Sequence, residues 1–458
     1  MGTYARLRHL WALRQFSDGR LMLMNRKYPM QDYPDEQEAY VLRNCDGNSD
    51  FDSLAFLPVH RNILRGLMEK GIVEECSFGE TNEPGQMFRI ISSPLLTEIH
   101  WAITGYCNMK CPHCFMEAPE GRYGQVSLEQ ARELIDQFYE AGVLRVSITG
   151  GEPLIHPHFR EIVKAITEKG MIVNLIVTNG VLIDDDLIDF LEECGHWPEF
   201  QISLDGIGTH DLMRGTEGLE ESVLRGIQKV IERDHELSVC TLFTKKNRYT
   251  AAATYEWLKN RGIKEWLVSR PQKMGAWQGG EDALTTEEIA ELCLDLKRRW
   301  EADGRPITIG LEKFFNGNAH EPIYSRETID CYSPESFECP TTQWKIFLLP
   351  DGTLLPCTGY TGSFLMEEMP NLYRDRLSEI WKDSALRHFV CRRKKDRLKH
   401  IPECSACEHF EKCGAGCGAY AMTENGSPDR PDPFMCALYK YGWRDRFLNS
   451  GTAQSENA

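Results

Sequence analysis

No stretch of the 458-residue chain is apolar over anything near the roughly 20 residues that cross a bilayer, so no spanning helix is expected. The first residues, Met1 to Trp11, are broken by charge and lack the apolar centre of a secretory signal. Basic excess is missing as well: 52 Lys and Arg face 69 Asp and Glu, a formal net charge of −17. Nucleic acid and anionic membrane both select for basic surface, so neither is an expected partner. The longest basic cluster, Arg392-Arg393-Lys394-Lys395 with Arg397 and Lys399, reads as a solvated helix face. These absences point to the cytoplasm, where thiols stay reduced and clustered cysteines signal metal rather than disulfides.

Cysteine, by contrast, is frequent at 17 residues. Cys107, Cys111 and Cys114 place three soft thiolates in one tight loop, Cys107-Asn-Met-Lys-Cys111-Pro-His-Cys114-Phe115, and leave a fourth ligand position open. An accidental match to this spacing arises in roughly 0.02 chains of such composition. Thiolates suit iron–sulfur clusters, and an iron without a protein ligand can bind a substrate. A closed structural zinc site, with His113 as fourth ligand, is the competing reading.

The loop follows a strand-like stretch over 97–104, and a second strand, 144–149, runs into Gly150-Gly151-Glu152-Pro153. Together the cysteine loop and the GGEP sequence resemble the radical S-adenosylmethionine (SAM) superfamily. That resemblance implies that Cys107, Cys111 and Cys114 ligate a [4Fe–4S] cluster whose open iron chelates SAM. It also implies that Gly150, Gly151, Glu152 and Pro153 receive the methionine ammonium and that Phe115 borders the adenine. Glycine suits a place where backbone must approach a ligand closely.

From 97 to 310 short β-rich runs alternate with amphipathic ones, which predicts a parallel βα architecture. Strands are expected at 97–104, 144–149, 171–178, 199–204, 237–243 and 264–269. Helices are expected after an N-cap at Ser127 with Gln130, and over 157–169, 184–194, 218–233 and 250–261. The resulting fold class is α/β: a partial (β/α)6 TIM-like barrel whose ligands collect at strand C-termini. Asn179 closes the third strand. Ser203 and Asp205 close the fourth, ahead of His210-Asp211-Leu212-Met213-Arg214-Gly215. These resemble the SLDG and HDxxR elements of one radical SAM subgroup, which implies ribose or methionine contacts for Ser203 and Asp205. Arg214 would meet the SAM carboxylate or hold its own loop. The segment from Arg270 to Gly275 resembles the adenine-side loop of the family.

The C-terminal third carries Cys339, then Gly352-Thr-Leu-Leu-Pro-Cys357, then Cys404, Cys407, Cys413 and Cys417, and finally Cys436. This series resembles the SPASM domain at each of its seven cysteines. The resemblance implies two auxiliary [4Fe–4S] clusters, one on Cys339, Cys357 and Cys417, the other on Cys404, Cys407, Cys413 and Cys436. Cys331 is the expected fourth ligand of the first, the alternative being an iron left open for a substrate thiolate. Three clusters and SAM are thus the expected cofactors. Cys45, Cys76, Cys194, Cys240, Cys293 and Cys391 read as small buried hydrophobes.

Residues 1–96 form a separate unit with a Ser17-Asp18-Gly19 turn, a helix over 36–44 and another near 60–69 that ends at Gly71. The order resembles the winged-helix recognition element that binds leader peptides of ribosomally made, post-translationally modified peptides (RiPPs). Residues 1–98 hold 11 Lys and Arg against 14 Asp and Glu, which disfavours DNA and leaves strand addition by a peptide. Expected domains are therefore 1–96, the barrel 97–310, the SPASM domain 311–449 and a flexible tail, 450–458.

The resemblances imply a peptide maturase, with a leader-bearing precursor peptide and an external one-electron reductant such as flavodoxin or ferredoxin as partners. A thioether from a peptide Cys to carbon is the expected product, followed by carbon–carbon crosslinking and epimerisation. A sulfatase-type maturase is less well matched, because that family carries an acidic base where this chain has Thr358. A non-catalytic redox sensor would need neither GGEP nor an open cluster.

Overall fold

The computed structural model describes residues 2–118, 120–312, 314–319 and 333–449. Cys331 and the expected tail, 450–458, lie outside them. Ten strands form one sheet. Its six central members follow chain order and are all parallel: Glu98–Ala102, Arg145–Thr149, Ile172–Thr178, Glu199–Ser203, Leu237–Leu242 and Glu265–Ser269. Each falls within two residues of its expected span at either end. Thr308–Leu311 continues the sheet in parallel and Phe315–Gly317 turns back antiparallel beside it. At the opposite edge Lys345–Leu348 pairs in parallel with Glu98–Ala102 and carries antiparallel Leu354–Leu355. These edge additions make the sheet larger than six βα units.

Helices cover the outer face. Leu128–Glu140 begins at a capping box in which Ser127 accepts from the Gln130 N–H and the Gln130 side chain returns to the Ser127 N–H. Phe159–Glu168, Asp185–Glu193, Leu219–Glu232 and Ala251–Leu258 follow. Thr286–Ala302, a helix absent from the sequence-based expectation, starts at a second capping box on Thr285 and Glu288. The strand Arg145–Thr149 is buried at every position, so both of its faces are covered.

Residues 2–96 hold a hairpin, Trp11–Gln15 with Leu21–Asn25, and the helices Glu36–Arg43 and Pro58–Glu69. Val73–Cys76 pairs with Tyr4–Leu7, and Leu13, Leu23, Val41, Leu64 and Leu67 share a core of their own. The unit docks under the sheet, at the strands' N-terminal ends. Arg145 Nη1 donates to the carbonyls of Asn25 and Tyr28, both at 2.9 Å, and Arg26 Nη2 donates to Gly170 O at 2.8 Å. Lys27 and Tyr28 both reach Glu236, just ahead of the fifth strand.

The C-terminal part corrects the reading of the basic cluster. Arg397 is fully buried, donating to the carbonyls of Pro428, Gly416 and Arg430 at 2.8–2.9 Å. Arg392 pairs with Glu338 and Asp429, both at 2.7 Å, and Lys394 is buried. Those loop carbonyls belong to no ladder, and a guanidinium with five donors satisfies several at once. Lys395 and Lys399 do stay at the surface, paired with Glu335 and Asp396.

Candidate active site

The cysteine loop leaves the C-terminal end of Glu98–Ala102 and is gripped by the neighbouring strand ends. Gly151 N–H donates to Thr104 O at 2.8 Å and Glu152 N–H to Tyr106 O at 2.9 Å. A Cβ on Gly150 would lie 2.4 Å from Thr104 O, and one on Gly151 would lie 2.2 Å from Tyr106 O. The glycines are therefore required by the loop's own close packing. Asn179 Nδ2 donates to Asn108 Oδ1 at 2.7 Å. From the far side Ala276 N–H donates to Cys114 O at 2.9 Å, and Gly275 backs onto the carbonyls of Cys114 and Phe115. The 270–275 segment thus meets the cysteine loop, with Phe115 half-buried against the core.

Two carboxylates expected to meet SAM are turned into the protein. Glu152, fully buried, accepts from the Thr178 hydroxyl at 2.8 Å and from the N–H groups of Asn179 and Leu154 at 2.7 and 3.0 Å. Burial pushes its carboxyl up to about 7 against those three donors. Asp205, also fully buried, accepts from Leu242 N–H at 2.9 Å through Oδ1. Its Oδ2 lies 2.9 Å from Arg214 Nε and 3.3 Å from His113 Nε2. Burial alone would raise this carboxyl, yet Arg214 and His113 hold it well below the usual carboxylate range. Pro153 opens a short 3₁₀ turn, and Ser203 ends its strand beside Cys240.

The other cysteines gather in two places. Cys404 feels Cys413, Cys436 and Cys407, in that order, and burial together with these thiols pushes it up to about 11. Cys339, Cys357 and Cys417 line a cavity of about 630 Å³ that Glu312, Tyr360 and Phe389 also border. Cys413 of the other group borders that cavity too, so the two groups are neighbours. Among the other cysteines, Cys45 and Cys293 are buried as expected, whereas Cys76, Cys194, Cys240 and Cys391 are partly exposed. Cys240 stands among Asp205 and Arg214, the charges that act on its thiol after burial.

The donor set fits iron–sulfur clusters. Burial raises the thiols of Cys107, to about 12, and Cys114, with neighbouring cysteines adding to both, so three thiolates gathered here call for compensating positive charge. His113, the fourth ligand of the zinc reading, faces Asp205, with its Nε2 3.3 Å from Oδ2.

Glu312 and Tyr420 carried no signal in the sequence. Glu312 sits at φ +50° just past Thr308–Leu311, accepting from Ser269, from Arg270 N–H at 3.2 Å and from the Tyr420 hydroxyl at 3.2 Å. It ties the rim of the barrel to the helix Gly418–Asn425, which starts directly after Cys417.

Comparison with known proteins matches residues 101–258 to the Radical SAM superfamily and residues 339–408 to the SPASM iron–sulfur cluster-binding domain. The AdoMet-dependent heme synthase of Oleidesulfovibrio alaskensis is 28% identical over 74% of this chain and 87% of its own. The subtilosin biosynthesis protein AlbA of Bacillus subtilis is 24% identical over 72% of this chain and 69% of its own. Among solved structures, Streptococcus suis SuiB bound to its precursor peptide SuiA aligns with TM-score 0.64 at 17% identity, over 95% of this chain and all of that one. The cysteine loop, GGEP and six parallel strands lie in or beside the first match and four of the seven cysteines of the C-terminal series lie in the second, so the chain joins a radical SAM domain to an SPASM iron–sulfur domain.

Proposed function

We propose that this chain is a radical SAM maturase of a ribosomally made precursor peptide, and that it forms a thioether between a peptide Cys sulfur and a carbon. The observation that carries the reading is the reach of the structural likeness. A 95% overlap with a peptide-bound neighbour is too extensive to leave out residues 1–96. That unit, with its own core and an acidic balance, is read as a winged-helix recognition element for a leader peptide.

When bound, the cluster and SAM supply a carbon radical that abstracts hydrogen from the substrate. Cys107, Cys111 and Cys114 hold that cluster. Gly150 to Pro153, Asn179 and Ser203 form the rim for SAM, while Asp205 and Arg214 brace it from below. Cys339, Cys357 and Cys417 hold one auxiliary cluster, with Cys331 as fourth ligand, and Cys404, Cys407, Cys413 and Cys436 hold the other. Thioether formation removes two hydrogens from the peptide, one as an atom to that radical and the other as a proton and an electron, for which the auxiliary clusters would supply an acceptor. An external one-electron reductant restarts the cycle.

The test is incubation of the iron-loaded protein, SAM and reductant with the product of a short cysteine-bearing reading frame beside the gene. Loss of 2 Da with loss of a free thiol supports the thioether. Loss of 2 Da with the thiol intact indicates a carbon–carbon bond, and unchanged mass with altered chirality indicates epimerisation. A second reading, a tetrapyrrole-modifying enzyme, is favoured by the 28% identity with a heme synthase. Turnover of a porphyrin but of no peptide would establish it.

A further inference from the structure

Arg214 does more than hold its own loop. It stands 11% exposed between two partners, with Nε 2.9 Å from Asp205 Oδ2 and Nη1 donating to Cys111 Sγ at 3.6 Å. The Nε–Asp205 approach is bent away from hydrogen-bond geometry, whereas the contact to sulfur satisfies it. Gly215, at φ +66°, follows so close to the cysteine loop that a Cβ there would lie 2.7 Å from Lys110 O. His113, inside the same loop, lies 3.3 Å from the other side of Asp205 Oδ2. The 205–215 segment therefore clasps the loop at residues 110, 111 and 113, and it brings one permanent positive charge to one thiolate.

We propose that Arg214 is a positioning residue for the cluster, its guanidinium donating to the Cys111 thiolate and so setting how readily the cluster accepts an electron. Hydrogen bonds to cluster sulfurs and nearby charge are the protein's means of tuning such potentials. A cation at the sulfur favours the reduced, more negative state, and Asp205 moderates that cation from behind. The inference rests on the assignment of a cluster to Cys107, Cys111 and Cys114, not on the identity of the substrate.

The experiment is a potentiometric titration, read by electron paramagnetic resonance, of the full-length protein loaded with all its clusters and free of SAM. The signal that SAM perturbs in a parallel sample identifies the relevant cluster. Arg214→Gln with unchanged iron content is expected to disfavour reduction at least tenfold, about 59 mV for one electron. Arg214→Lys should recover part of that loss. Asp205→Asn, which keeps the guanidinium but removes its counter-charge, should shift the equilibrium the opposite way. An unchanged midpoint in Arg214→Gln, or shifts of the same sign in Arg214→Gln and Asp205→Asn, would overturn the proposal. So would a midpoint that holds while SAM affinity falls, which would return Arg214 to the SAM carboxylate. Absence of any SAM-responsive cluster in the unaltered protein would instead reject the cluster assignment itself.

Discussion

Single residues around the cysteine loop are fixed by close approach more than by polarity. Gly151→Ala would drive a methyl group into Tyr106 O, which the structure puts 2.2 Å from that Cβ. The expected result is about 2 kcal/mol of overpacking strain, relieved by displacement of the loop. Iron content per chain should drop, while the spectra of the auxiliary clusters persist. Arg397→Met makes a contrasting case in the C-terminal part. It would leave the carbonyls of Pro428, Gly416 and Arg430 buried without their donor. At about 1–3 kcal/mol for each unsatisfied group, a loss of roughly 3 kcal/mol or more is expected in thermal unfolding. Gly151 reads as a ligand-approach glycine and is needed for loop packing as well, whereas Arg397 lies in a charged run whose sequence misleads because it resembles a surface helix.

Among elements, three strands meet at one carboxylate. Glu98 Oε1 is 2.7 Å from Lys345 Nζ and accepts from Ser147 Oγ at 2.6 Å, while Oε2 is 3.0 Å from Arg145 Nε. Burial opposes ionisation here, but Lys345 and then Arg145 outweigh it and hold the carboxyl at about 2. A carboxyl depressed in the folded state contributes stability that is present above its ordinary value, near 4.5, and is lost as pH falls from there towards 2. Each tenfold change in proton affinity is worth about 1.4 kcal/mol, so the contribution is about 3 kcal/mol. Denaturant unfolding between pH 6 and 3 should show it. Glu98→Gln should give a lower plateau and a flatter pH profile, and an unchanged slope would refute the linkage. The partners also mark how far the sequence could be read. Glu98–Ala102 and Arg145–Thr149 were legible from alternation and strand-end motifs, and Ser127 announced its helix by the cap. Lys345–Leu348 was not, because its pairing with Glu98 lies far along the chain and leaves no local pattern. Asp205 and Glu152 are read from the sequence as ligand contacts, and their inward turn depends on donors from Leu242, Thr178 and Asn179, which only the folded sheet assembles.

At the scale of the molecule, the stretch 402–415 is a run of short helices, Pro402–Ser405 and Phe410–Cys413, with a satellite core of Ile401, Cys404 and Ala415, whereas Ala419, Met422 and Phe434 beyond it join the main core. So small a satellite core leaves much of its order to bound metal. Hydrogen–deuterium exchange should therefore rise over 402–415 when iron is removed, while the strands of the central sheet stay protected. The other end of the chain sets a distance. The hydrogen bonds of Arg145, Arg26 and Lys27 anchor residues 2–96 beneath the strands, and the cysteine loop lies above them. Strands of five to seven residues separate the two levels, roughly 20 Å, or about six residues of extended chain. On the proposed reading, a peptide held by its leader at the lower level would need at least that much leash before its first modified residue, and the fold would measure its substrate along the backbone as a ruler does.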